Sequence, residues 1–427
     1  MRTQSKIVRK QKPVAEIIVM FLLVSAIAGM ALVLNSQNEI FATPRQPSGE
    51  RSSVTLPPLQ SGANLFFVTT DSATLCTSAI DEVWDAAPSF EVIRPSDAEE
   101  LIAFGDENLS SDSSESETGH DNTRMLGQSF LSPDGRYIAM NVHTGPLSVV
   151  RVIDLKDKAN PEMFRLVTEG FGRFLAWHPD SRHVLYLAYD LMVSNPGLWM
   201  VDIVDGSHQR IEISTLVTPQ NLTAAAISPD GTEILYATTQ GMGTGSELWK
   251  IENQQTHRRI WDDQQTVIGS LSYSPDGQYV ALVNLLDSPV PFANAGLWKI
   301  DALTSKATFL TTMDGGHGQS PIWSNDSSEL YYIKRDNPDE NEADYRANAL
   351  VSSVRAIDVN NLTERILVPA DGARQLDLSL APNGDLMFAS DRGDVLEVWT
   401  VSRDGHLQQV TADGKPKRFP LIVVLGR

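Results

Sequence analysis

The sequence predicts an all-β fold, a β-propeller of four-stranded blades, and three observations predict it. The quartet Ser-Pro-Asp-Gly stands at 132–135, 228–231 and 274–277, with related turns at 178–181, 324–327 and 381–384. Measured at Pro133, Pro179, Pro229, Pro275, Asn325 and Pro382, these turns recur at intervals of 46, 50, 46, 50 and 57 residues. Each turn is followed by a short apolar run and then by a second recurring element of alternating character, a β-rich period of propeller type.

The turn is explained by its residues. Proline presets φ for the first turn position, aspartate favours the second, and glycine supplies the positive φ of a tight return. The turn joins the first two strands of a blade, as in FLSPDGRYIAM at 130–140 and SYSPDGQYVALV at 272–283. The third strand reads VVRVIDL at 149–155, GLWMVDI at 197–203, ELWKIEN at 247–253, GLWKIDA at 296–302, SVRAIDV at 353–359 and EVWTVSR at 397–403. Trp199, Trp249, Trp298 and Trp399 share one register in it and are expected to pack between neighbouring blades. A fourth strand is fainter, in MFRLV, QRIEI, RRIWD, ATFLT, ERILV and LQQVT.

These elements make six complete repeats. The ends supply parts of a seventh. KPKRFPLIVVLGR at 415–427 reads as a first strand, NLFFVTT at 64–70 as a second, TLCTSAI at 74–80 as a third and FEVI at 90–93 as a fourth. Joining them closes the ring and hides both sheet edges, so seven blades are expected, with six blades and irregular flanks as the alternative. DAEELIAF at 97–104 reads as the one short helical turn.

The flanking segments divide the chain. Residues 1–16 form a basic tail with Arg2, Lys6, Arg9, Lys10 and Lys12. The uncharged apolar run 17–34 has about the length a membrane-spanning helix needs. The basic tail is expected to stay in the cytoplasm, which places the remainder outside as a single-pass membrane protein. The alternative is a secreted protein released by signal cleavage near Ala26-Ile27-Ala28. Residues 35–63, rich in Pro, Ser and Gln, read as a flexible stalk before a propeller at 64–427. The acidic, Ser-rich stretch 106–121 reads as a disordered insertion, bounded at about 96–124.

Charge and composition exclude some functions. Among 427 residues, 54 are acidic and 34 basic, which speaks against a nucleic-acid partner, since phosphate binding needs clustered Lys and Arg. With the tail inside, the outer part keeps 29 basic and 53 acidic residues, a net charge of −24, so only the apolar helix is expected to hold it to an anionic membrane. Cys76 is the only cysteine, so the fold must hold without an intramolecular disulfide.

The repeats resemble the TolB-like, or WD-like (PD-repeat), β-propeller family, whose signature is an apolar strand, Ser-Pro-Asp-Gly, and a second apolar strand. The match runs from 126 to about 412, and more weakly over 64–95 and 415–427. His178, Ser181, the Ser324-Asn325-Asp326-Ser327 quartet and Asn383 depart from it. The resemblance implies the fold. It leaves function open, because the family hosts scaffolds, receptors, accessory domains and some enzymes. An apolar run and a stalk stand where TolB has an extra N-terminal domain, so TolB's own role is not carried over.

The connections between second and third strands are long and irregular: 143–148, 191–197, 240–247, 285–296 and 336–349. They share one face, which marks it as a binding face. The residues leading into the innermost strands are expected at the channel mouth on that face. Gln128, Arg173, Ser270, Gln319, Gln375 and Arg418 are the candidate ligand-binding residues, with Thr223 beside them, and His317 in MDGGHGQS is the one histidine placed near them. No catalytic residue is assigned. There is no G-x-S-x-G elbow, no H-E-x-x-H and no Cys/His metal spacing. Asp336, Asp339, Glu340, Glu342 and Asp344 form a solvated acidic loop rather than a calcium loop. No metal and no cofactor are expected. The function expected is a non-catalytic protein- or ligand-binding module, with an extracytoplasmic protein or peptide partner, in a bacterial cell envelope. The alternative is a hydrolase or lyase with its site at the channel mouth, where Asp377 is the one carboxylate available.

Overall fold

A computed structural model describes residues 62–69, 74–80, 99–102, 124–144, 147–155, 164–166, 171–188, 196–240, 245–252, 256–286, 294–315, 319–336 and 350–425. The basic tail, the apolar run 17–34 and most of the stalk lie outside the described residues. Three strands come first: β1 (Gly62–Thr69), β2 (Thr74–Ile80) and β3 (Glu99–Ile102). The first blade is β4 (Arg124–Leu131), β5 (Tyr137–Thr144), β6 (Leu147–Asp154) and β7 (Phe164–Leu166). The second is β8 (Gly172–Trp177), β9 (His183–Ala188), β10 (Gly197–Asp202) and β11 (His208–Arg210). The third is β12 (Leu222–Ile227), β13 (Ile234–Thr239), β14 (Ser246–Glu252) and β15 (Thr256–Asp263). The fourth is β16 (Thr266–Tyr273), β17 (Tyr279–Leu286), β18 (Ala295–Asp301) and β19 (Ala307–Met313). The fifth is β20 (Ile322–Trp323), β21 (Glu329–Arg335), β22 (Ser352–Asp358) and β23 (Glu364–Val368). The sixth is β24 (Gln375–Leu380), β25 (Leu386–Ser390), β26 (Glu397–Val401) and β27 (Leu407–Gln409), after which β28 (Lys417–Leu425) follows alone.

All pairings within these six sheets are antiparallel between consecutive strands. One further four-stranded sheet has the order β28-β1-β2-β3. Its antiparallel ladder sets Gly62 against Leu425 and Thr69 against Lys417. β28 packs on β24 and β25 of the sixth blade on one side and on β4 of the first blade on the other. The fourth strand of this sheet is Glu99–Ile102, with Cys76 opposite Glu100. That corrects the reading of DAEELIAF as a helical turn, and it puts a strand inside the segment read as the 96–124 insertion. Edge pairing with β2 overrides the local helix preference of Ala, Glu and Leu. FEVI at 90–93 lies outside the described residues.

Burial explains why the strands differ in composition. The second strands are buried on both faces, as in β9 and β25, because blades stack against each other on either side. Their sequences are therefore nearly continuous apolar runs. The fourth strands are outermost and less buried than the second, as in β11, β15 and β27, which is why their signal in the sequence is faint. The core is a series of clusters between blades. Tyr137 and Val150 of the first blade meet Phe174 and Tyr186 of the second, and Leu235 and Leu248 of the third meet Ile268 and Leu282 of the fourth. Trp199, Trp249, Trp298 and Trp399 each pack into one of these inter-blade clusters. Each fully buried Leu or Ile contributes about 1.5–3 kcal/mol.

The departures from Ser-Pro-Asp-Gly have a physical reason. The turn's last residue needs positive φ, which Gly135 (71°) and Gly277 (72°) supply without strain. Ser181 and Ser327 hold the same conformation at 59° and 61°. Their hydroxyls accept the amide N–H of Asp134 at 2.9 Å and of Asp276 at 3.1 Å, each in the preceding blade's turn. Two of the glycine substitutions thus tie adjacent turns together.

Candidate functional site

The innermost strands β4, β8, β12, β16, β24 and β28 share a feature the repeats do not announce. Each carries a register shift against its neighbour: between Leu126 and Ser129, Phe174 and Ala176, Leu222 and Ala224, Ile268 and Ser270, Leu376 and Ser379, and opposite Phe66 and Val68 for β28. Bulges release one or two residues from the ladder and re-aim their side chains. Gln128, Thr223 and Asp377 stand at such positions, and Ser270 borders one. Asp377 and Phe419 adopt positive φ, 59° and 54°.

The geometry gathers three of the sequence-predicted residues into one chain of contacts. Gln319, just ahead of β20, accepts the Asp377 N–H on its Oε1 at 2.9 Å. The Asp377 carboxylate accepts from Arg418 Nη2 at 2.9 Å, from Arg418 Nε, and from the Phe419 N–H at 3.1 Å. The run Gln319–Asp377–Arg418 therefore crosses the fifth blade, the sixth blade and β28. Burial works to lower the Arg418 guanidinium pKa, and the Asp377 carboxylate more than offsets it, so the net shift is upward. The Arg418 guanidinium also lies over the Phe419 ring, 4.8 Å from its centroid.

The other candidates are placed separately. Gln375 is fully buried; its N–H donates to Ser352 Oγ at 2.8 Å, and the same hydroxyl donates to the Gln375 carbonyl at 3.2 Å. Gln128, Arg173 and Ser270 are half-buried on β4, β8 and β16. His317 lies outside the described residues, as do 145–146, 189–195, 241–244, 287–293 and 337–349 of the long loops, which include Asp339, Glu340, Glu342 and Asp344. Asp336 is described, and it pairs with Arg355 at 2.6 Å.

Two arrangements escaped the sequence reading. At the join of the sixth blade to β28, the Lys417 ammonium is buried with the Glu397 carboxylate at 2.9 Å, the Asp413 carboxylate and the Lys415 carbonyl at 2.8 Å. On the turn face, His178, Asp180 and His183 bring three ligand-type atoms within 4.8 Å of one another. The signal for the second was present: histidine replaces the serine that opens the other Pro-Asp turns, and another histidine follows five residues on.

No family model and no curated protein matches the sequence. Solved structures do. TolB from Acinetobacter baumannii is similar at 18% identity with a TM-score of 0.43, over 70% of this chain and 66% of that one. An oligogalacturonate lyase in complex with manganese is similar at 14% identity with a TM-score of 0.47, over 83% of this chain and 86% of that one. A prolyl endopeptidase is similar at 13% identity with a TM-score of 0.46, over 68% of this chain and 42% of that one. The chain thus spans just under two thirds of the TolB chain and less than half of the peptidase.

Proposed function

We propose that this chain is a non-catalytic binding propeller, held at the outer side of a membrane by residues 17–34 and presenting its long-loop face to an extracytoplasmic protein or peptide. In this reading β28-β1-β2-β3 serves as the seventh, closing blade. One observation carries the binding assignment. Asp377, the one carboxylate among the channel candidates, is engaged by the Arg418 guanidinium and by the Phe419 N–H, and its own N–H is held by Gln319. An acid–base catalyst needs a carboxylate free to exchange a proton with substrate. A carboxylate fixed in an ion pair suits a rigid recognition surface better. The Arg418 side chain keeps 27% exposure, enough to offer a donor to a partner's acceptor.

The test is crosslinking capture of the full chain from native membranes, beside a variant in which 336–349 is replaced by a Gly-Ser linker. Thermal melting first checks that the variant is folded. A defined partner recovered with the parent chain and lost with the variant supports the reading. Recovery of no reproducible partner by the folded parent chain overturns it. Carbonate extraction with N-terminal mass analysis tests the anchor: a chain that is released and begins after Ala28 overturns membrane retention.

A further inference from the structure

We propose that the turn His178-Pro179-Asp180-Ser181-Arg182-His183 is a divalent metal site of the zinc class, with His178 Nδ1, His183 Nδ1 and the Asp180 carboxylate as its protein ligands. The turns that join first and second strands share a side-chain pattern. In four of them a serine opens the turn, and its hydroxyl donates to the turn aspartate: Ser132 to Asp134 at 2.7 Å, Ser228 to Asp230 and Ser274 to Asp276 at 2.6 Å, and Ser324 to Asp326 at 2.7 Å. In each the same hydroxyl accepts the N–H five residues on, at Tyr137, Glu233, Tyr279 and Glu329. The second turn keeps the backbone shape and changes the chemistry at both places. Position 178 is histidine, and position 183 is a second histidine.

The two imidazoles converge on one carboxylate. His178 Nδ1 lies 3.0 Å from Asp180 Oδ1, and His183 Nδ1 lies 2.7 Å from Asp180 Oδ2. The Asp180 N–H also lies 3.3 Å from His178 Nδ1. An imidazole N–H hydrogen bond to the carboxylate fits these distances, and a bound ion would take the place of the bridging protons. Imidazole nitrogen with one carboxylate suits Zn²⁺, Co²⁺ or Ni²⁺, and three protein ligands leave a coordination position for water or a partner's side chain.

The surroundings hold the ligands in place. The Arg182 and His183 N–H groups donate to Asp180 Oδ1 at 2.9 and 3.0 Å. His183 Nε2 lies 3.8 Å from the buried Asp202 carboxylate, which the Arg182 guanidinium already engages. The His178 ring lies against the next turn at Gly231, where a Cβ would fall 2.8 Å from Nε2. The three side chains are 27%, 39% and 35% exposed, open enough for an ion to enter. The site sits on the turn face, away from the long-loop face, so it stands or falls independently of the binding reading.

The experiment uses the full chain without a histidine tag, stripped of metal, and titrates Zn²⁺ by calorimetry and Co²⁺ by its visible absorption. The control is H178S/H183Y, which installs Ser and Tyr as found at 132 and 137 in the first blade and is therefore expected to fold. The proposal expects one saturable ion per chain, a Co²⁺ spectrum of low coordination number, and at least a tenfold loss of affinity in the double variant. Absence of binding by the folded parent chain overturns it. Equal affinity in parent and variant also overturns it.

Discussion

The seam between the third and fourth blades and the seam between the sixth blade and β28 do the same job by different means. The first is mainly apolar: Leu235, Leu248, Ile268, Val280, Leu282 and Ile300 are buried together, with Trp261, Trp298 and Tyr273 against them, and one buried lysine, Lys250, lies between Glu233 and the Ala302 carbonyl at its margin. The second places a buried ammonium, Lys417, between the carboxylates of Glu397 and Asp413, and a second pair, Arg418 with Asp377, a few ångströms along the same strand. Successive blades are joined by a short connection, so non-directional apolar contact is enough to seat them. β28 must find its register against β1, which lies at the other end of the chain. Charged pairs are directional and punish a slipped register, since a one-residue shift leaves buried charges unpaired.

Breaking the ionic seam gives the largest effect. Lys417→Ala leaves the Glu397 carboxylate buried without its cation and is expected to cost about 3–5 kcal/mol in urea unfolding. Lys417→Met with Glu397→Gln and Asp413→Asn removes all three buried charges together and is expected to recover part of that loss; no recovery refutes the ion-pair account. Breaking the apolar seam comes next. Leu282, fully buried, is expected to cost about 2–5 kcal/mol as Leu282→Ala by the same measurement, and this cost is independent of salt. A smaller effect, about 1–3 kcal/mol, is expected for Asp377→Asn, which keeps a side chain tolerant of positive φ but leaves Arg418 without its counter-charge. A value near zero places Arg418 in solvent and counts against the proposed recognition role.

The smallest effect is one of pH and belongs to the turns rather than the seams. The Ser228 hydroxyl, and after it the Thr232 N–H and hydroxyl, hold Asp230 down to about 2, and Arg182 together with the Val204 and Asp205 N–H groups holds Asp202 down to about 2 against burial. Both lie below the ordinary carboxylate value of about 3.9. A depressed folded pKa adds stability above the unfolded pKa, and that stability is lost as pH falls through the folded pKa, here from about 4 to about 2. The urea midpoint is expected to decline over this window, and Ser228→Ala is expected to shallow the decline. An unchanged slope counts against the turn hydrogen bond as its source.

The comparison also shows what the sequence could reveal. Turns and third strands were legible because Pro133, Asp134, Gly135 and the tryptophan register are fixed by local conformation and recur. The pairing of both ends was legible from unmatched strands, although Glu99–Ile102 was not, because its residues favour helix and only the open edge of β2 makes them a strand. The bulges at Thr223, Ser270 and Asp377 had no marker, since a one-residue register shift needs no special residue type. The burial of Lys417 was hidden for another reason: a lysine reads as surface until the ring places Glu397 and Asp413 around it. Gln319 and Arg418 were picked out by position, but their link through Asp377 depends on three sheets meeting.

The pairing of Thr69 with Lys417 also fixes the order of events during synthesis. β1 and β2 leave the ribosome long before the strand that completes their sheet, and at about 5–20 residues per second the wait is on the order of tens of seconds. Through that interval the free edge of β1 is open to other chains, and near its end so is the unsealed flank of β24. A holding chaperone that binds extended, apolar segments such as NLFFV would shield the nascent molecule until β28 arrives.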